Sequence, residues 1–139
     1  MISVCKIFRF EAAHAISNHP GKCRNIHGHS YELHVSVAAT SLNEQDMIID
    51  FAELKKIINN HVINKLDHTL LLAKKGELAK EFEHYQGKLV WMEKEPTAEY
   101  MLLTIKNWII DQLPTGIHLV QLQLWETKTA YAQWHVAME

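Results

Sequence analysis

His27-Gly28-His29-Ser30-Tyr31-Glu32-Leu33-His34-Val35-Ser36-Val37 is the stretch that decides how this chain is read. Leu33, Val35 and Val37 share the parity of His27 and His29, and side chains on a strand alternate between its two faces. The run therefore predicts a strand, from about His27 to Ala39, that aims two imidazoles and an apolar stripe in one direction. The opening stretch repeats the pattern. Phe8, Phe10, Ala12 and His14 share one parity at the end of a strand expected over about Ile2 to Ala13, so two neighbouring strands can bring three histidines to one point. Gly28, between two of them, is expected to relieve crowding on the opposite face and to accept unusual backbone angles.

Three neutral imidazoles without an evident fourth protein ligand describe a zinc site with an open position, the arrangement used for catalysis. Of the 10 histidines in the chain, His34, His61, His84, His118 and His135 match no site pattern and read as ordinary polar groups. Two cysteines are too few for a disulfide framework. Cys5, inside the apolar opening strand, is expected to be a small buried hydrophobe. Cys23 lies in a polar loop between Lys22 and Arg24, and cationic neighbours favour the thiolate. It is either a reactive thiol beside the metal or a fourth zinc ligand, which would make the site structural.

At 139 residues, with 47% hydrophobic and 22% charged residues, the chain fits one domain, 1–139, with a real core. A net charge of -2 argues against a general electrostatic grip on nucleic acid. No apolar run is long enough to span a bilayer and no signal-peptide pattern opens the chain, so a cytoplasmic location is expected.

Asp50-Phe51-Ala52-Glu53 has capping-box spacing. Leu54, Ile57, Ile58 and Val62 follow at helical intervals and predict a helix over about Phe51 to Asn64. A second helix is expected from about Thr97 to Gln112, after Pro96, with Met101, Leu102, Ile105, Trp108 and Ile109 as its stripe. Leu113-Pro114-Thr115-Gly116 stops it. Val120, Leu122 and Leu124 alternate toward Glu126, and Ala130 to Ala137 reads as a closing strand. A carboxylate on the core-facing register at a strand end is costly without a partner, which makes Glu126 a ligand-binding candidate. Leu66-Asp67-His68 reads as a loop in which an acid adjoins a histidine and can fix its tautomer. Strands, two helices and strands predict an α+β arrangement, a four-stranded antiparallel sheet with both helices on one face.

Phe10-Glu11-Ala12-Ala13-His14, Cys23-x-x-x-His27-Gly28-His29, Ile49-Asp50-Phe51-Ala52-Glu53-Leu54-Lys55, Leu66-Asp67-His68, Pro96-Thr97-Ala98-Glu99 and Trp125-Glu126-Thr127 stand in this order. In that order they resemble the 6-pyruvoyl- and 6-carboxy-tetrahydropterin synthase family across nearly the whole chain. The three-residue gap between Cys23 and His27 looks like the bacterial carboxy-forming branch, which feeds queuosine synthesis. The resemblance implies a tunnelling fold, in which sheets of several subunits close into a barrel and two trimers stack into a homo-hexamer with active sites between subunits. It also implies roles. His14, His27 and His29 would hold zinc, Cys23 would be the general base, and Asp67 and His68 would assist proton transfer. Glu126 would grip the pterin ring, with Thr97 and Glu99 as further contributors.

The implied substrate is 7,8-dihydroneopterin triphosphate, converted to 6-carboxy-5,6,7,8-tetrahydropterin with release of acetaldehyde and triphosphate. A pyruvoyl-forming enzyme on the same site is the second reading, and a pterin- or purine-binding protein with structural zinc the third. Between His68 and Pro96 the chain departs from compact bacterial members of the family. Lys74 to Glu83 is expected to add a short helix and Lys88 to Met92 a strand. Lys22 and Arg24 are the candidates for contact with a triphosphate.

Overall fold

The computed structural model describes residues 1–137. The two opening strands form a long antiparallel hairpin, β1 (Ser3–His14) and β2 (His27–Ala39), in register from the Ser3–Ala38 pair to the His14–His27 pair. The alternation places Phe8, Phe10, Tyr31, Leu33, Val35 and Val37 in the core. The same alternation turns Cys5 outward. It is exposed, not the buried hydrophobe its apolar neighbours suggest, because the even-numbered residues of β1 face the core.

Helix α1 (Phe51–Ile58) starts where Asp50 Oδ1 accepts the backbone N–H of Ala52 at 2.8 Å. It runs through a π-helical turn, Asn59–Ile63, into the short α2 (Asn64–Leu66). The interruption has a cause in the sequence: Leu54, Ile58, Val62 and Leu66 repeat every four residues and all are fully buried. In a regular helix such a row drifts by about 40° per step, and one wider turn returns it to the core.

Strand β3 (Thr69–Ala73) follows, parallel to β1 along Ala12–His14 and parallel to β4 (Leu89–Met92) on its other side. Helix α3 (Ala79–Phe82) lies between β3 and β4 in the chain. Helix α4 (Ala98–Ile109) is capped by Thr97, whose side chain accepts the Tyr100 N–H at 3.1 Å. The turn after it passes through Gly116 at φ +87°, where a side chain would be strained. Strands β5 (Ile117–Thr127) and β6 (Ala130–His135) complete the sheet.

The sheet has six strands, in the order β4-β3-β1-β2-β5-β6, where four antiparallel strands were expected. The expected four are all present. β3 and β4 extend them on the β1 side and are parallel, so the sheet is mixed. The expected added helix is reduced to α3, one turn in length, and the expected added strand is β4. In β5 the pairing with β2 slips between Ser36 and Val37, leaving Val120 as an extra residue. Leu119, Leu122 and Leu124 therefore face the core and Val120 does not.

α1 and α4 pack on one sheet face, where Leu54, Ile58, Met101, Ile105 and Ile109 meet the strand residues. α3 does not share it: Leu70 and Leu72 alternate with Leu71 and join a separate cluster with Ala15, Leu78, Phe82, Leu89 and Trp91. Ile105 is fully buried in the main core. Ile105→Ala is expected to cost about 2–5 kcal/mol of stability, measured as a lowered urea midpoint with unchanged slope.

Candidate metal centre and active site

The register of the hairpin sets the site. His14 pairs with His27 and Ala12 pairs with His29, so all three imidazoles leave the sheet on its core side at one end. Glu126 arrives from β5, directly after the Glu32–Trp125 pair. Ligand atoms of His14, His27, His29 and Glu126 all lie within 4.8 Å of one another. The Nε2 atoms of His14 and His27 are 3.2 Å apart, and Glu126 Oε1 lies 3.0 Å from His29 Nε2 and 4.0 Å from His14 Nε2.

The outward nitrogens explain why the inner ones converge. His14 Nδ1 is 2.7 Å from the carbonyl oxygen of Pro96, and His27 Nδ1 is 2.7 Å from that of Asn25. A carbonyl can only accept, so each Nδ1 carries the proton and each Nε2 presents a lone pair to the centre. Two lone pairs at 3.2 Å repel unless something electrophilic lies between them. Nitrogens about 2.0–2.1 Å from a tetrahedral zinc would stand about 3.3 Å apart, which the observed separation matches. His29 Nε2 is buried and has no hydrogen-bond partner among the described residues. A divalent metal ion would serve all three nitrogens.

The surroundings favour neutral imidazoles at His14 and His29. Burial pushes the pKa of His14 down, as does the proximity of His27 and His29, against the Pro96 hydrogen bond and the charge of Glu126. His29 is lowered mainly by burial as well, with Glu126 opposing. Tyr31 lies beneath, its ring edge-on to His14 and His29, and burial raises its phenol far above the ordinary range. It stays neutral beside Glu126.

The remaining sequence candidates are placed less tightly. Cys23 is half-buried on a single 3₁₀ turn, Lys22–Arg24, and is not a member of the imidazole group. The fourth group in the cluster is Glu126. Lys22 and Arg24 are exposed. Asp67 and His68 also lie outside the cluster, at the turn between α2 and β3. His68 adopts φ +58°, a left-handed conformation uncommon outside glycine. The turn is pinned to β1: Asp67 Oδ1 accepts the Glu11 N–H at 2.9 Å, and the His68 N–H donates to the Glu11 carbonyl at 2.6 Å. The Glu11 N–H is the main cause that holds the Asp67 carboxyl below its ordinary pKa, with His68 adding to it. His68 projects its ring into solvent, Nδ1 3.0 Å from Asp67 Oδ1, and lines a cleft of about 440 Å³ with His29, Tyr85 and Lys88.

Thr97 spends its hydroxyl oxygen on capping α4. Glu99, in the first turn of that helix, shares a cleft of about 270 Å³ with Glu126, Thr127 and Tyr131. Gly28 has no left-handed backbone, and a Cβ there would sit 3.6 Å from the Ala12 carbonyl, an ordinary contact. Neither reason suggested by the sequence for a glycine applies.

The sequence profile of the family described as 6-pyruvoyl tetrahydropterin synthase matches residues 3–136. The chain belongs to this family. A relative from Synechocystis, a 6-carboxy-5,6,7,8-tetrahydropterin synthase, is 44% identical over 139 residues, covering 94% of this chain and 91% of its own. One of the same description from Rickettsia typhi is 32% identical over 137 residues, covering 96% and 99%. Among solved structures, the Plasmodium falciparum 6-pyruvoyl tetrahydropterin synthase shares the fold at a TM-score of 0.72 and 20% identity, covering 98% of this chain and 99% of its own. The Caenorhabditis elegans enzyme does so at 0.66 and 22%, covering 98% and 96%.

Within this member of the tetrahydropterin synthase family, two contributors to the site had no signal in the sequence. Pro96 orients His14 through its carbonyl, which every residue possesses, and Pro96 reads only as a helix start. Lys88, just before β4, donates to the carbonyls of Asn64 at 2.6 Å and Asp67 at 2.7 Å, tying β4 to the His68 turn. Glu126 is the residue whose role the geometry leaves most open to test. Glu126→Gln keeps the size and removes the charge. If Glu126 serves a pterin and not the metal, the variant is expected to retain zinc at wild-type stoichiometry while KM for substrate rises by about 10-fold or more, the worth of a charge-assisted pair of hydrogen bonds.

Proposed function

We propose that this chain is a zinc-dependent lyase, a 6-carboxy-tetrahydropterin synthase. It would convert 7,8-dihydroneopterin triphosphate to 6-carboxy-5,6,7,8-tetrahydropterin, releasing acetaldehyde and triphosphate, in 7-deazaguanine (queuosine) synthesis in the cytoplasm. The observation that carries the reading is the convergence of the His14, His27 and His29 imidazole nitrogens, with Glu126 beside them. The names of the Synechocystis and Rickettsia relatives support the carboxy-forming branch over the pyruvoyl-forming one.

Zinc, held by His14, His27 and His29, would supply Lewis-acid chemistry that favours loss of a proton from the substrate side chain. The protein does the rest. Cys23, as thiolate, takes that proton. Asp67 holds His68, whose ring is free to carry protons to and from the reacting carbons. The Glu126 carboxylate accepts two parallel hydrogen bonds from the pterin amino group and ring N–H. Glu99 borders the same cleft, and Thr97 starts the helix that carries Glu99.

In this reading the whole chain acts as one domain and the complete site lies between copies. Among the described residues, no strand pairs with the outer edge of β1 from Ser3 to Phe10, since β3 and the Asp67–His68 turn meet it only from Glu11 onward, or with the outer edge of β6. Head-to-tail pairing of such edges generates a ring. A homo-hexamer of two stacked trimers, with Asp67 and His68 reaching a neighbour's zinc, accounts for their separation from the cluster in one chain. Among the described residues no helix is long and apolar enough to cross a membrane.

The test is to incubate the zinc-loaded protein with 7,8-dihydroneopterin triphosphate and identify the pterin by mass. A carboxy-pterin with acetaldehyde supports the proposal. A pyruvoyl product overturns the carboxy-forming branch, and absence of turnover favours a binding protein.

A further inference from the structure

Three consecutive residues between β4 and α4 each hold a different part of the site. The Pro96 carbonyl accepts from His14 Nδ1, and Thr97 caps the helix that carries Glu99. Glu95 reaches the other way: its Oε2 accepts the backbone N–H of Ser17 at 3.1 Å. Ser17 is buried at the start of the loop that follows β1 and carries Cys23.

That loop has few other anchors. The Ile16 N–H donates to the Cys23 carbonyl at 2.8 Å, closing the loop at its base. The His19–Ile16, Arg24–Gly21 and Asn25–Lys22 bonds are internal to it, as is the Gly21 N–H to His19 Nδ1. Among the hydrogen bonds of the described residues between Ala15 and Ile26, Ser17–Glu95 alone reaches a distant part of the chain. Beyond its junctions with the strands and the packing of Ala15 and Ser17, the loop is therefore held by Glu95, one residue before the carbonyl that orients His14.

We propose that Glu95 is a positioning residue that sets the Cys23 thiol against the imidazole group. One short segment then fixes metal ligand and thiol together, so neither drifts relative to the other. This rests on the proposed role of Cys23 as the base, and the test separates the two.

Glu95→Ala and Glu95→Gln would be compared with the parent in a Cys5→Ser background, where Cys23 is the remaining thiol. Two readouts are taken on zinc-loaded protein: the rate of Cys23 alkylation by iodoacetamide, and kcat with KM. Glu95→Ala is expected to raise alkylation several-fold and lower kcat by about 10- to 100-fold, with zinc content unchanged and KM within about twofold. Glu95→Gln keeps an acceptor oxygen at the same reach and is expected to recover most of both. Alkylation and kcat equal to the parent in Glu95→Ala would overturn the proposal, as would a Gln variant no better than Ala. If Glu95→Ala fails to fold, Glu95→Asp, which keeps the charge and shortens the reach, replaces it with the same two expected changes. If the parent makes no pterin product, the catalytic reading fails, while the alkylation rates still decide whether Glu95 holds the loop.

Discussion

Cys23→Ala is expected to lower turnover by about 10²- to 10⁴-fold, the range for removal of a positioned acid–base group, with zinc bound at the parent stoichiometry. The expectation follows from two placements. The thiol lies outside the imidazole group, so its loss leaves the metal ligands intact. Its backbone is tied to Ile16, two residues beyond His14, the first of the three histidines. The variant also removes little packing, since Cys23 is only half-buried. Turnover equal to the parent in a steady-state assay would remove Cys23 from the mechanism, and loss of zinc would make it a ligand.

His27→Ala is expected to have the second large effect, acting on the metal first. The substitution leaves two imidazoles and removes the nitrogen that stands 3.2 Å from His14 Nε2. Loss of an outer hydrogen-bond partner of a ligand commonly costs 10- to 100-fold in metal affinity or activity. Losing the ligand itself is expected to cost more than about 100-fold, read by competition with a chromophoric chelator, and turnover is expected to fall in parallel. Folding should survive, because His27 is half-buried at the rim of the sheet while the core beneath it is unchanged. Wild-type zinc affinity in a folded His27→Ala protein would show that the cluster is not the metal centre.

Strand parity carried most of what was legible. Alternation along β1 and β2 places three histidines on one face without any knowledge of the fold, and the core-facing parity of β5 delivers Glu126 to them. The two long helices were legible from apolar spacing, from the cap at Asp50 and from Pro96 before the second, whose cap at Thr97 only the structure shows. β3 was not. Leu70, Leu71 and Leu72 form a continuous apolar run that is buried on both faces, and such a run lacks the alternation that identifies a strand. β3 joins β4, expected from the sequence, to the other four strands and so makes a sheet of six.

Other departures have equally local causes. A bulge at Val120 shifts the inward register of β5 by one residue, and no sequence period reveals which residue a bulge leaves out. Cys5 is exposed despite its apolar neighbours, because the parity of Phe8 and Phe10 sends it outward. The hydrogen bonds from His14 to the Pro96 carbonyl and from the Ser17 N–H to Glu95 join residues about eighty positions apart. Only the fold brings them together. Asp67 and His68 were legible as a pair, and the φ of +58° at His68 became visible only in the structure.

X-ray absorption at the zinc edge of the substrate-free protein tests the central claim most directly. A shell of three imidazole nitrogens at about 2.0–2.1 Å, completed by oxygen and free of sulfur, is the predicted result. A sulfur at about 2.3 Å would mean that Cys23 closes the site, contradicting an open catalytic centre in favour of structural zinc.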